Sequence, residues 1–360
     1  MPLSKIQGIE GQVTPNFGRR NLIINGAMTV NQRGNATGVN TSSYRACDRF
    51  KIAYEGTSSV YAVSRDGSAP SGFAHSYKVD TTTADGSQAA QSQVAVLQYI
   101  EALSLPHLKY GTSNAESLTL SFYVKSNMTG TYAVNMYSQD GARIIGSTYT
   151  INAADTWEKK VITFAGDTGG TINNDTGRGL EVKWFLSAGS TYRGTDNTSW
   201  GAYADAKIAT GQTVDIATST SNNWFITGIQ LEVGTGATDF EHRSFGEELS
   251  LCQRYYQRTQ GTSSGYQNLV VLTNYSTGAD QRGVIPFVTE MRVGPSISTS
   301  GNLMILGAGG SLSSINAGDG LTTHMAGLRV NTTSNLSTGQ STLLRGNNDG
   351  TAHLKFDAEL

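Results

Sequence analysis

The sequence predicts an all-β protein whose main body is an antiparallel sandwich, and three observations carry that expectation. The first is alternation: Leu118, Leu120, Phe122 and Val124 interleave with Thr119, Ser121, Tyr123 and Lys125, a period of two with one dry face and one wet face. Leu180, Val182, Trp184 and Leu186 against Glu181, Lys183 and Phe185 repeat it, as do Phe50, Ile52 and Tyr54, and Tyr132, Val134 and Met136. The second is punctuation, with turn clusters such as Asp140-Gly141 and Asn173-Asn174-Asp175 between the runs. Many short strands separated this way indicate a sandwich and not a parallel α/β sheet. The third is composition: only 15% of residues are charged while Gly counts 42 and Tyr 16, which disfavours helix and favours strand.

In chain order, residues 1–20 are polar, carry Gly8, Gly11, Pro15 and Gly18, and lack either periodicity. They are expected to form an extended arm that cannot fold alone and is therefore either disordered or docked on a neighbour, docking being the more useful hypothesis for an assembly protein. Ile6, Ile9, Val13 and Phe17 are its candidate anchoring residues. Residues 21–243 form the sandwich. Near its end, Trp224 and Ile226 share one parity and Ile229 and Leu231 the other, so Thr227-Gly228 reads as a bulge that re-aims the strand. A connecting helix is expected within 244–258: Phe245, Leu249, Cys252 and Tyr256 fall on one face of 245–257, and Ser244 with Glu247 makes a capping box. Residues 259–360 read as a smaller β domain, with strands at Leu269–Leu272, Gly283–Arg292, Leu303–Leu306, His324–Val330 and His353–Phe356. Pro286 and Pro295 flank or interrupt these, which suggests edges.

Chemistry is hard to place on this chain. None of His75, His107, His242, His324 and His353 lies at metal-ligand spacing from another. No Walker loop exists, and Gly307-Ala308-Gly309-Gly310 lacks a following Lys or helix, so it reads as a turn. Gly166-Asp167-Thr168-Gly169-Gly170 has Thr where a serine nucleophile would sit. The expectation is therefore a non-enzyme with no catalytic residues, metal or cofactor. The net charge of −2 disfavours nucleic acid, and no run of about 18 apolar residues argues for membrane insertion. Cys47 and Cys252 make no CxxC pair and read as buried free thiols. With no apolar leader in 1–17 the chain is expected to be made in a cytoplasm. The stretch from Ser187 to Asn223 holds Tyr192, Trp200 and Tyr203 among Gly, Thr, Asn and Asp. These three are the candidate glycan-binding residues, since rings stack on sugar faces and polar side chains bond hydroxyls. The alternative is that Trp200 and Tyr203 pack back on the sandwich or at a subunit contact.

Several blocks, in order, resemble a group of bacteriophage tail-fibre and minor virion proteins. They are Asn21-Leu22-Ile23-Ile24-Asn25-Gly26-Ala27-Met28, Asn31-Gln32-Arg33-Gly34, Cys47-Asp48-Arg49-Phe50 and Ser121-Phe122-Tyr123-Val124-Lys125-Ser126. The strongest runs from Ile226-Thr227-Gly228-Ile229-Gln230-Leu231-Glu232-Val233-Gly234 through Ala237–Arg243 and Gly246–Leu249 to Leu251–Tyr256. The resemblance covers roughly 21–258 and implies a jelly-roll sandwich similar to carbohydrate-binding modules. It also implies a location in the virion, expected to be the tail, and a homotrimer. The partners would be other phage tail or head proteins and a host surface polysaccharide. A head-decoration fibre, a stand-alone carbohydrate-binding module and a depolymerase are the competing readings. The calcium of such modules is not carried over, because Thr227-Gly228-Ile229-Gln230 contains no Asp; a loop calcium at Asn173–Asp175 is a separate, weaker expectation. Asp48 with Arg49, and Glu241 with Arg243, are read as pairs that fix strand ends.

Overall fold

Two antiparallel sheets close over a single large core, as the alternation requires. The computed structural model describes residues 20–194, 197–259, 265–275, 278–307 and 312–360. The first sheet has six strands in the order Ala36–Val39, Val60–Asp66, Ser76–Thr83, Asn223–Val233, Leu118–Ser126 and Glu158–Phe164. The second has seven: Gly201–Ala202, Arg143–Ile151, Gly130–Ser138, Arg178–Ala188, Gln93–Glu101, Lys51–Glu55 and Ser43–Tyr44. The chain forms some consecutive hairpins, such as Gly130–Ser138 with Arg143–Ile151, but crosses repeatedly between the two sheets, as in a jelly-roll sandwich. Leu118, Leu120, Phe122 and Val124 point inward and meet Trp184, Val134, Met136 and Phe50 from the facing sheet. The predicted bulge is present. The pairing with Leu118–Ser126 slips between Thr227 and Gln230, Gly228 takes φ +60°, and Trp224, Ile226, Ile229 and Leu231 all reach the core.

The blocks quoted above interlock in space. Asn21 donates its amide to the Ile229 carbonyl at 2.9 Å and accepts from Ile23 N and Leu231 N. Glu241 accepts from the backbone of Arg20 and Asn21, and Arg243 donates to the carbonyls of Asn21 and Ile23. A Cβ on Gly26 would sit 2.1 Å from the Ile229 carbonyl oxygen, so only glycine lets this loop lie on the bulge. Asn25, at φ +62°, donates its side-chain amide to the Val30 and Asp48 carbonyls and its backbone N–H to Glu248 of the helix. Glu241 and Arg243 pair at 3.1 Å as expected. Asp48 and Arg49 do not: Asp48 accepts from Gln32, whereas Arg49 turns away to Glu359 and the Tyr99 carbonyl.

The helix is Phe245–Gln253, shorter than expected, with Ser244 accepting from Glu247 N. Its buried face is Glu248 and Cys252, continued by Tyr255, while Phe245 is exposed. The apolar spacing misled because Glu248, bonded to Asn25 and Arg243, is drawn inward in place of an apolar residue. Residues Tyr256–Arg258 leave the helix and become a strand.

That strand opens the C-terminal region, where a three-stranded sheet (Tyr256–Arg258, His353–Asp357, Ser296–Ser300) and a six-stranded sheet enclose a second core. The six-stranded sheet is ordered Leu303–Leu306, Ser341–Gly346, Asn268–Asn274, Gly278–Pro286, Met325–Leu336, Leu312–Leu321. The expected strand Gly283–Arg292 starts earlier and stops at Pro286, whose ring cannot continue the ladder. It is an interior strand, whereas Ser296–Ser300, beside Pro295, is an edge. The last residues fasten the two regions. Arg33 bridges to Asp357 at 2.9 Å and Glu359 at 3.0 Å, Arg49 to Glu359, and Arg292 donates to the carbonyls of Ala358, Glu359 and Thr176.

Candidate functional site

The outer face of the seven-stranded sheet is laid out by register. One row across the strands reads Tyr99, Glu181, Tyr137, Ile144. The next reads Lys51, Leu97, Lys183, Asn135, Gly146. Two lids cover parts of this face. Tyr44, Tyr255 and Leu360 pack on Leu97 and Tyr99 at one end. At the other, Tyr192, Ile208 and Ala209 pack on Ala95, Ala133, Ile144 and Phe185. Between them a groove of about 210 Å³ remains, floored by Tyr137, Glu181, Lys183 and Asn135 and walled by Gln93, Tyr203 and Ile208.

The wall is held by specific bonds. Asn135 donates to the Ile208 carbonyl at 2.7 Å, and Gln212 accepts from Ala133 N at 2.6 Å. Gly146 N donates to the Asn197 carbonyl at 2.8 Å. A Cβ on Gly146 would strike Asn197 at 2.1 Å, so this glycine sets how closely the wall approaches the sheet. Tyr203 N donates to the Ala142 carbonyl at 2.9 Å, and its hydroxyl to Asp205 at 3.1 Å. Its ring meets Tyr137 edge-on at 5.3 Å.

The groove offers rings, acceptors and one close charge pair. Burial, then Asp205, pushes the Tyr203 phenol far up; burial, then Glu181, raises Tyr137. Both remain neutral donors near pH 7. Lys183 lies 3.8 Å from Glu181. Gln93 donates to Glu55 at 2.6 Å, which fixes its amide so that the oxygen is left as an acceptor. Among the described residues, that oxygen and Asn135 Oδ1 have no hydrogen-bond partner. A buried acceptor left this way costs about 1–3 kcal/mol, and both oxygens lie beneath the groove surface, so what the groove presents to a ligand is the two tyrosine rings with Glu181 and Lys183.

Of the three expected aromatic residues, the structure brings only Tyr203 to this groove. Tyr192 is buried beneath the wall, its hydroxyl 3.4 Å from Glu55. Trp200 stacks edge-on against Tyr110 at 5.7 Å and donates its indole N–H to the Ala165 carbonyl at 2.7 Å. Trp200 therefore lies back on the sandwich, whereas Tyr203 stands 45% exposed at the edge of the groove. Ile6, Ile9, Val13 and Phe17 lie outside the described residues. The Gly166–Gly170 loop is a structural corner: Asp167 is fully buried and accepts from Arg143 at 2.8 Å and Gly169 N at 3.0 Å. In the expected calcium loop, Asp140 and Asp175 already accept from the amides of Asn173 and Gly177. Among the described residues no three His, Cys, Asp or Glu side chains gather for a metal.

Sequence reasoning missed Tyr137, Asn135, Glu181, Lys183 and Gln93. The signal for four of them was present, because they are the outward positions of the strands whose inward positions were read correctly. What alternation does not reveal is which outward stretch escapes cover.

No family model matches the chain, and no curated protein matches it. Among solved structures it is similar to the enzymatically active domain of tailspike protein 4 of bacteriophage CBA120, at 10% identity over 59% of this chain and 21% of that one, with a TM-score of 0.34. The chain thus spans about a fifth of that tailspike structure. It is similar to TmCBM61, determined with β-1,4-galactotriose, at 10% identity over 60% and 99% of the two chains and a TM-score of 0.31. A sugar binding protein from Bacteroides thetaiotaomicron shows 16% identity over 60% and 100%, with a TM-score of 0.30. Similarity at this level assigns no function.

Proposed function

We propose that this chain is a non-enzymatic glycan-binding structural subunit of a phage particle, a tail-fibre-type protein that contacts a cell-surface polysaccharide through the groove beside Tyr203. The observation that carries the glycan reading is chemical. Tyr203 and Tyr137 offer apolar ring surface to sugar C–H faces, while Glu181 and Lys183 offer an acceptor and a donor suited to hydroxyls.

The virion reading rests on the ordered blocks between residues 21 and 258 that resemble phage tail-fibre and minor virion proteins. On this proposal the subunit acts as a homotrimer, is attached through residues 1–20, and releases no product from the glycan.

A glycan array followed by calorimetric titration tests the binding. Tyr203→Ala abolishes binding to the strongest array hit, and Trp200→Ala leaves it within about twofold, because Trp200 does not reach the groove. A protein that binds no surface glycan, or one in which Trp200→Ala is the variant that loses binding, refutes the assignment. Incubation with the same polysaccharide yields no new reducing ends. Labelling intact particles with an antibody to the chain distinguishes tail from head.

A further inference from the structure

The outer face of the three-stranded sheet carries a concentration of positive charge that composition conceals. Register sets Arg258 opposite Lys355 and Lys355 opposite Ser298, so all three share one face with Tyr256 and Asp357. The other face, Leu354 and Phe356, is buried in the second core. Two cations directly opposite across a ladder repel each other, and Lys355 is half-buried, so solvent screens it poorly.

The segment 33–45, with its short strands Ala36–Val39 and Ser43–Tyr44, closes on the same face. Arg33 lays its guanidinium 3.7 Å over the Tyr256 ring. Beside it a cup of about 330 Å³ is lined by Arg33, Arg45, Thr37, Asn40, Thr41 and Ser43. Arg33 is compensated by Asp357 and Glu359. Among the described residues, Arg45, Arg258 and Lys355 have no carboxylate partner. Their fields overlap: burial first, then Arg45, Arg258 and Arg33, holds the Lys355 ammonium below the usual lysine range. In a chain of net charge −2, three uncompensated cations beside a row of hydroxyls form a local exception.

We propose that Arg45, Arg258 and Lys355, with the hydroxyls of the 37–43 cup, form a binding site for phosphate groups carried on a polysaccharide. A phosphate group brings up to two negative charges and three acceptor oxygens, which matches three cations better than a single carboxylate does. Arginine would take it through paired N–H bonds, and its charge would cancel the repulsion between Arg258 and Lys355. The site is separate from the Tyr203 groove, and its polysaccharide source rests on the proposed glycan-binding function.

The test uses the full chain with Tyr203→Ala in place, so that the groove is silent, and titrates phosphomannan, dephosphorylated mannan and inorganic phosphate. Phosphomannan binds, dephosphorylated mannan does not, and inorganic phosphate binds more weakly than the polymer. Lys355→Gln and Arg258→Gln each weaken phosphomannan about tenfold. Equal affinity for phosphomannan and inorganic phosphate overturns the polysaccharide source, and unchanged binding in both variants overturns the site itself. Thermal melting guards against misfolding. Without phosphate, Lys355→Gln melts no lower than its parent, because a repulsive pair has been removed. Added phosphate raises the parent's Tm and raises that variant's Tm by less at the same concentration. A variant that melts well below its parent would mean the lysine supports the fold, and would also overturn the proposal.

Discussion

Replacing Glu359 by Gln removes one negative charge from the network that fastens the C-terminal region to the sandwich, and the structure sets the size of the loss. The Arg49 side chain is 1% exposed and that of Glu359 4%. Arg49 keeps the Tyr99 carbonyl at 2.7 Å and the Tyr255 ring at 3.5 Å, but neither carries a full negative charge. Stranding a buried cation costs about 3–5 kcal/mol, and those residual contacts place the expected value near the lower end, about 3 kcal/mol. Arg33 retains Asp357 and adds little to the loss. The double variant Arg49→Met with Glu359→Gln removes the stranded charge, so it is expected to cost less than Glu359→Gln alone, although removing a residue usually adds cost. Urea unfolding followed by tryptophan fluorescence reads this directly, since Trp184 and Trp224 are fully buried in the sandwich. A loss below about 1 kcal/mol for Glu359→Gln, or a double variant less stable than the single, would refute the reasoning.

Gly228→Ala forces a side chain into φ +60° with its Cβ 2.6 Å from the Phe73 ring, and is expected to lower stability by about 1–3 kcal/mol in the same urea assay. Burial alone would raise Glu158, but Lys160 and the amides of Asn152 and Ala153 outweigh it and hold the carboxyl at about 2, against an ordinary value of 4.5. A depressed carboxyl stabilises the fold above its unfolded pKa and loses that contribution as pH falls through the folded one. The melting-temperature gap between the parent and Glu158→Gln should therefore be full above about pH 4.5 and close by about pH 2. Cys47 and Cys252 are buried free thiols, each pushed up by burial and then by Asp48. Neither should react with a thiol reagent at pH 8 until the protein is unfolded, and fast native labelling of either would contradict the packing described.

Much of the core was legible because alternation is a geometric consequence of the strand. Leu180, Val182, Trp184 and Leu186 had nowhere to point but inward, and the phase change at Thr227-Gly228 could only be reconciled by a bulge. The helix boundary was less legible, since Tyr256 continues the apolar spacing but is claimed by a ladder with Asp357, far along the chain. Glu248 was misplaced for a related reason: its burial depends on Asn25 and Arg243, which no local pattern connects to it. The groove was legible only in part. Tyr203 stood out as an aromatic in a polar stretch, but so did Trp200, and only tertiary packing separates a ring that stacks on Tyr110 from one left 45% exposed at a groove. The clustering of Arg45, Arg258 and Lys355 was invisible, because a net charge carries no information about neighbours across a sheet.

The most direct test of the glycan-binding claim is a crystal structure of this chain with the strongest oligosaccharide from the array. The account predicts a sugar ring against Tyr203 and Tyr137, with hydroxyls bonded to Glu181 and Lys183. A ligand seated on the outer face of the six-stranded sheet of the sandwich, or against Trp200 with the groove empty, would contradict it.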